Sequence, residues 1–221
     1  DVYKRQNMKK LIIQILLVIL IVFLGYKCYE SIMVPQRFKA IKEQRYDKII
    51  QRLKDIRTAQ DAFRSVYGRY TPSLDSLIHF MKYDSVTIVR SIGTLTDEQL
   101  EAGMTEAEAI KKGLIIREKI QVNALENTFG KSYPIDMIKY VPFTNKKYEF
   151  KMGAGKIKTD SGVEVPVFEA RISNDKIFED VDGEYHEQIL EENGERLRLK
   201  KYPGLKVGDL QEANNNVGNW E

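Results

Sequence analysis

The chain has 221 residues, 43% of them hydrophobic and 30% charged, with 35 basic against 32 acidic side chains. After Glu30 the two signs balance at 30 each, so the basic excess that nucleic-acid binding requires is absent and no nucleic-acid partner is expected. The only cysteine, Cys28, leaves no partner for an internal disulfide and rules out a cysteine-based zinc site.

Asp1–Asn7 precede Met8, which reads as an initiator, so residues 1–7 are expected to be a non-native leader. Lys9 and Lys10 then introduce the apolar run Leu11–Gly25, LIIQILLVILIVFLG. A bilayer span needs roughly 20 residues, a length reached by extending the run to Tyr29 or Val34. The expected anchor therefore covers 8–34, with Leu11, Ile15, Val18, Val22 and Gly25 among its lipid-facing residues. Lys27 can lift its ammonium to the interface, and Tyr26 and Tyr29 suit an interfacial belt. Lys9 and Lys10 favour a cytoplasmic N-terminus, while Arg37, Lys39 and Lys42 on the far side act against that bias. The rival reading is a cleaved signal peptide. No small-x-small exit follows Gly25, and Cys28 stands too far along for a lipoprotein site, so an uncleaved anchor is favoured. Acylation of Cys28, or its pairing with another chain, is set against an ordinary interfacial cysteine, and the latter is preferred.

From Gln36 to Tyr67 the periodicity predicts one amphipathic helix. Ile49, Leu53, Ile56, Ala59, Phe63 and Val66 form its apolar stripe. Pro35 permits either continuity with the anchor or a short break. The part before Ile49 is expected to project free of the domain, where a partner can bind. Gly68 is placed to end the helix, and Thr71 before Pro72 predicts a short helix running to Tyr83 through Leu74, Leu77, Ile78 and Met81. Residues 35–83 are thus read as helical.

Residues 84–221 are read as a mainly β domain with a polar tail. Ser85–Ile92 and Leu114–Val122 read as strands, and Thr96–Lys112 as helix split at Gly103, with a capping box at Thr105 and Glu108. Tyr140–Phe143, Lys147–Met152 and Val163–Ile172 read as further strands, and Pro166 marks the last as an edge. Gly153-Ala154-Gly155-Lys156 reads as a hairpin turn, not a phosphate loop, since no helix N-terminus follows. Asp180–Glu195 reads as a polar segment, Arg196–Lys200 as a strand, and Gly208–Glu221 as an irregular tail.

The fold class expected is α+β: a long N-terminal membrane-anchoring helix continuing into an amphipathic helix packed on a small antiparallel sheet. This layout is that of type IV pilins and type II secretion pseudopilins. The segment Ile56–Phe63, followed by Gly68, Tyr70, Pro72, Leu74 and Leu77, resembles the pseudopilin pattern, and Gly218-Asn219-Trp220 resembles the closing Gly-Asn-Trp of major pseudopilins. The prepilin cleavage motif is lacking: no glycine precedes Leu11, and Ile15 stands where the family has glutamate. Of the family's calcium-binding carboxylates, only Asp209 and Glu212 have counterparts before the terminal motif.

The resemblance implies a subunit or accessory of an envelope secretion or pilus apparatus. It would sit in a bacterial inner membrane with its C-terminal domain outside the cytoplasm. The membrane, other envelope or secretion-apparatus proteins, and further copies of the chain are the partners implied. The alternative is a non-polymerising single-pass scaffold that recruits other envelope proteins; an anchored enzyme or ligand-binding domain is a weaker reading. No catalytic constellation, cofactor site or metal site is legible. His79 and His186 lack metal spacing, and Asp180-Val181-Asp182-Gly183-Glu184 supplies only part of a cation loop, so turn chemistry accounts for it better. Trp220 is read as a plug that holds the tail against the domain, in preference to a docking residue.

Overall fold

The computed structural model describes residues 2–101, 103–159 and 162–221, with side chains from Leu11 onward except Leu100. Val2–Tyr67 form one helix of 66 residues, α1. Pro35 lies inside it; its missing N–H removes the bond to the Ser31 carbonyl, and its ring crowds that same carbonyl. From Leu11 to Tyr67 the helix is about 85 Å long. The domain meets it from Val34 onward. The projecting segment expected before Ile49 is therefore packed: Phe38, Arg45 and Tyr46 are buried, and the Phe38 ring sits 5.2 Å from that of Phe178 and 5.8 Å from that of Tyr185. Ile49, Leu53, Ile56 and Ala59 are wholly enclosed, at 0% exposure, and Phe63 is buried beside them. Val66 does not belong to this stripe; it is 42% exposed. At that turn the domain lies on the side of Phe63 and Tyr67, whose rings meet Phe80 at 5.1 and 5.9 Å, so Val66 points outward.

Gly68 ends α1 in the left-handed conformation (φ +68°), its N–H donating to the Arg64 carbonyl at 2.8 Å. The next helix, α2 (Leu74–Tyr83), starts at Ser73 and not at Thr71-Pro72. The Ser73 hydroxyl accepts from the Ser76 N–H, whereas the Thr71 backbone is already paired in both directions with the buried Gln60 amide, at 2.7 and 3.1 Å. Leu74, Leu77, Ile78, Phe80 and Met81 give α2 its buried face.

β1 (Ser85–Ile92) pairs antiparallel with β2 (Ile116–Asn123), Ser85 opposite Asn123 and Ile92 opposite Ile116. This two-stranded ribbon carries α3 (Asp97–Glu101) and α4 (Glu106–Lys111) between its strands. Thr105 and Glu108 form the reciprocal capping box of α4. α5 (Ala124–Thr128) returns the chain to the main body.

The main sheet contains β3 (Lys151–Lys158), β4 (Glu164–Ser173) and β5 (Gly204–Gly208), in that spatial order and antiparallel throughout. Its positions differ from those read in the sequence. Tyr140–Phe143 makes a single bridge, Tyr140 to Glu149, and then turns through Phe143, Asn145 and Lys146, all at positive φ. The alternation of Tyr148, Phe150 and Met152 against lysine and glutamate is real, but the ladder begins only at Lys151 and runs on through Gly153-Ala154-Gly155-Lys156. These small residues are strand, not turn. A Cβ at Gly153 would come 3.1 Å from the Leu210 side chain, so glycine lets the tail cross this face. The β3–β4 turn lies at 159–163, and its Asp160 and Ser161 fall outside the described residues. Pro166 is on the central strand, at a stretch of it that is open on one side. It faces Lys156 on one side and lies beyond the reach of β5, which pairs only with Glu169–Ser173. α6 (Asn174–Ile177) and α7 (Asp182–Arg198) follow, and the expected strand Arg196–Lys200 is the last turn of α7 and its exit. The polar 180–195 segment hides a helix because only Tyr185 and Ile189 of α7 are buried.

The stripe of α1 packs on α2 on one side and on β4 and β5 on the other. Phe168, Ala170, Ile172, Leu205 and Val207 supply the sheet's inner face. The α+β architecture with a long helix on a small antiparallel sheet is thus the observed one. Leu53→Ala is expected to lower unfolding free energy by about 2–5 kcal/mol, the range for emptying a fully buried leucine site. Denaturant unfolding of the full chain in micelles measures this, and a loss below about 1 kcal/mol would mean that the stripe is not packed as described.

Candidate functional site

Two surfaces set this chain apart from an ordinary packed domain: a bare apolar helix segment and the polar seam that follows it. Leu11, Ile15, Val18 and Val22 are each more than half exposed, and nothing comes within 4 Å of where a Cβ on Gly25 would stand. No residue of this window is covered by protein. It is the one helix among the described residues that is long and apolar enough to cross a membrane. Cys28 is exposed just beyond it.

Beyond the apolar run, α1 is held to α6 and α7 by polar contacts. Arg45 is 8% exposed. It donates to the Ile177 carbonyl at 2.6 Å and, as a fork, to both Asp180 carboxylate oxygens at 2.6 and 2.7 Å. That bond holds the Asp180 carboxyl below the usual range. The Asp180 turn is therefore a docking point for Arg45. Among the described residues no group of three or more histidine, cysteine, aspartate or glutamate side chains is arranged to hold a metal. At the next residue, the Tyr46 hydroxyl donates to buried Asn174 at 2.7 Å, and burial pushes the phenol up to about 12. Lys42 reaches Glu192 at 2.7 Å, and Arg196 reaches the same carboxylate at 2.8 Å. Burial alone would raise Glu192; the two cations outweigh it and hold the carboxyl low.

Beside Asp180 an open cavity of about 350 Å³ is lined by Phe143, Thr144, Asn145, Lys147, Lys176 and Glu179. Lys147 bonds Glu179 at 2.7 Å, and Tyr148 donates to the same carboxylate at 2.8 Å. These contacts lower Glu179, as Arg45 lowers Asp180, so the perturbed acids here are members of ion pairs. His79 and His186 stand on different helices, both exposed. The first has its ring 4.8 Å from that of Tyr83, tilted by 49°, and the second has Nδ1 3.0 Å from Asp182.

The motif residues near the end of α1 and at the C-terminus meet in space. Tyr70 is buried with its ring 4.8 Å from that of Phe168, and its hydroxyl accepts from Arg64 at 3.0 Å and from Asn216 at 2.7 Å. Leu74 and Leu77 are buried in α2, while Pro72 is exposed. Asn219 treats β5 as a strand partner: its N–H donates to the Lys206 carbonyl at 3.0 Å and its side-chain oxygen accepts from the Lys206 N–H at 3.1 Å. Gly218 bridges Val207, and a Cβ there would stand 2.3 Å from the Trp220 ring. The indole thus lies directly on the glycine. Trp220 is half-buried against the core, with no hydrogen-bond partner for Nε1 among the described residues. Arg57 of α1 completes the clasp through the Asn216 carbonyl at 3.1 Å and Glu221 at 2.9 Å. Asp209 pairs with Lys206 at 2.6 Å, and Glu212 is exposed. Sequence reasoning missed Arg45 and Gln60, whose only signal was a polar residue falling inside an apolar stripe. No known protein family matches the chain, and neither curated proteins nor solved structures give a significant match.

Two outcomes test this geometry. Asp180 titrates lower in the folded chain than its ordinary 3.8, so its bond to Arg45 contributes fully above about pH 4 and is lost as pH falls below that. Asp180→Asn is expected to cost about 1 kcal/mol at neutral pH, the half-exposed carboxylate being screened, and progressively less in acid. Thermal unfolding at pH 7 and pH 3 reads the difference, and a cost independent of pH counts against the pair. At the clasp, Trp220→Ala is expected to cost about 2 kcal/mol, less than a fully enclosed ring would. Gly218→Ala should destabilise the native chain yet be nearly neutral in the Trp220→Ala background, because the clash partner is then gone.

Proposed function

We propose that this chain is a single-pass membrane protein of pilin- or pseudopilin-like design, a subunit or accessory of an envelope secretion or pilus apparatus. On this reading it resides in a bacterial inner membrane with its domain outside the cytoplasm. It works by protein–protein contact and has no enzymatic activity or cofactor. One observation carries the reading: a single helix presents a bare apolar segment at one end and the packing stripe of an α+β domain at the other. The closing Gly218-Asn219-Trp220 clasp on β5 supports it, because it makes the resembling motif a structural lock.

The alternative, a non-polymerising scaffold, is favoured by one feature of α1. Past the anchor its free face carries Lys39, Glu43, Asp47, Lys48, Gln51 and Lys54, all exposed, which offers no apolar surface for lateral helix packing.

The expected outcome is that full-length protein stays in membranes through alkaline carbonate washing, with the domain open to protease only from the extracytoplasmic side. A soluble mature chain beginning near Tyr29 would sink the anchor. Photo-crosslinkers at the exposed Leu190 and Leu197 of α7, used in the source cells, separate the two functions. Recovery of secretion- or pilus-apparatus components supports the first; recovery of other envelope proteins alone leaves the scaffold.

A further inference from the structure

We propose that two copies of this chain pair in parallel through one seam of the anchor, with their Gln14 amides hydrogen-bonded to each other. The inference rests on the membrane reading above and adds to it a partner, a face and a stoichiometry.

Gln14 is the one polar side chain in Leu11–Gly25. It lies about 6 Å past Lys10 along the helix, inside the apolar run. Its side chain is exposed, and among the described residues it makes no hydrogen bond. Water would satisfy that amide on a soluble helix. Hydrocarbon cannot, so the cost of leaving it unpaired falls on an isolated anchor. A side-chain amide offers both a carbonyl acceptor and N–H donors, so it is complementary to a copy of itself. Two anchors inserted in the same direction hold Gln14 at the same depth, where each amide can donate to the other.

The surroundings of Gln14 fit close approach. Gln14, Val18, Ile21, Gly25 and Cys28 follow one another at steps of four, three, four and three residues, the spacing of a two-helix seam. The run's only glycine falls on this line, and the space over it is open. A glycine there lets a second backbone come near, and polar side chains hold transmembrane helices together where lipid gives apolar ones no preference. Nor does the domain obstruct a partner. On a straight helix the seam lies about two-fifths of a turn from the direction taken by Val34, Phe38, Ile41 and Arg45, which meet the domain. Beyond the bilayer, the same side of α1 carries Gln36, Lys39, Glu43 and Asp47. Pairing is therefore confined to the anchor.

The full-length chain in phosphatidylcholine vesicles tests this. Retention through carbonate washing is measured first for every variant. Energy transfer between differently labelled copies then reads association. The expected result is a dimer whose association weakens about tenfold or more in Gln14→Leu and is retained in Gln14→Asn. Because Cys28 sits on the seam, mild oxidation should link wild-type copies. The double variant Cys28→Ser, Tyr26→Cys moves the thiol to nearly the opposite side of the helix and should link far more slowly. A chain that washes off the vesicles removes the membrane reading and the pairing together. A chain that stays bound but is monomeric, or pairs equally well as Gln14→Leu, or links equally fast through position 26, overturns the pairing alone.

Discussion

The backbone of α1 satisfies its own hydrogen bonds along its length, and every other element is arranged around that property. A strand or loop leaving a bilayer would expose unpaired N–H and C=O groups; a helix does not. The same helix can therefore sit in hydrocarbon at one end and serve as the central packing element of a domain at the other. Pro35 interrupts the ladder at the transition without ending the helix. From Val34 upward, the identity of the side chains changes the helix's surroundings while its geometry stays constant.

The domain is fastened to this rod by two kinds of contact with different consequences. Ile49, Leu53 and Ile56 exclude water but specify little about orientation, since apolar contact is non-directional. Orientation comes from the polar groups set among them. Arg45 fixes the α6–α7 corner through a forked bond to Asp180, and Gln60 holds the Thr71 backbone in both directions. Tyr70 then joins the end of α1 to β4 and to the tail. Buried groups of this kind stabilise only when paired, so they discriminate against any other seating of the domain.

The C-terminal clasp has a mechanical role in this arrangement. β5 is a short strand at the sheet's margin, with its outer edge open to pairing. Asn219 and the Gly218 bridge occupy that edge, and Arg57 ties the same segment to α1. The clasp thus closes the sheet and joins it to the rod at once.

The local elements were largely legible in the chain. The apolar run, the stripe Ile49–Phe63, the stop at Gly68, β1 and the Thr105–Glu108 cap all follow from periodicity or from contacts within a few residues. Such contacts need no knowledge of what packs above them. The misreadings share one physical cause. Gly153-Ala154-Gly155 has turn composition, yet it is strand because its backbone pairs with Val167, Phe168 and Glu169 of β4, and Leu210 of the tail lies over Gly153. α7 lacks a broad apolar stripe because much of its attachment is polar, through Glu192, Asn193 and Arg196. Val66 matches the helical repeat, but at that turn the domain lies on the side of Phe63 and Tyr67. The sequence by itself determined the elements whose stability is local and the length of the apolar span. Tertiary structure alone decided strand register, the burial of Arg45 and Gln60, and the meeting of Tyr70 with Asn216. Those depend on partners distant in the chain, whose positions no local periodicity encodes.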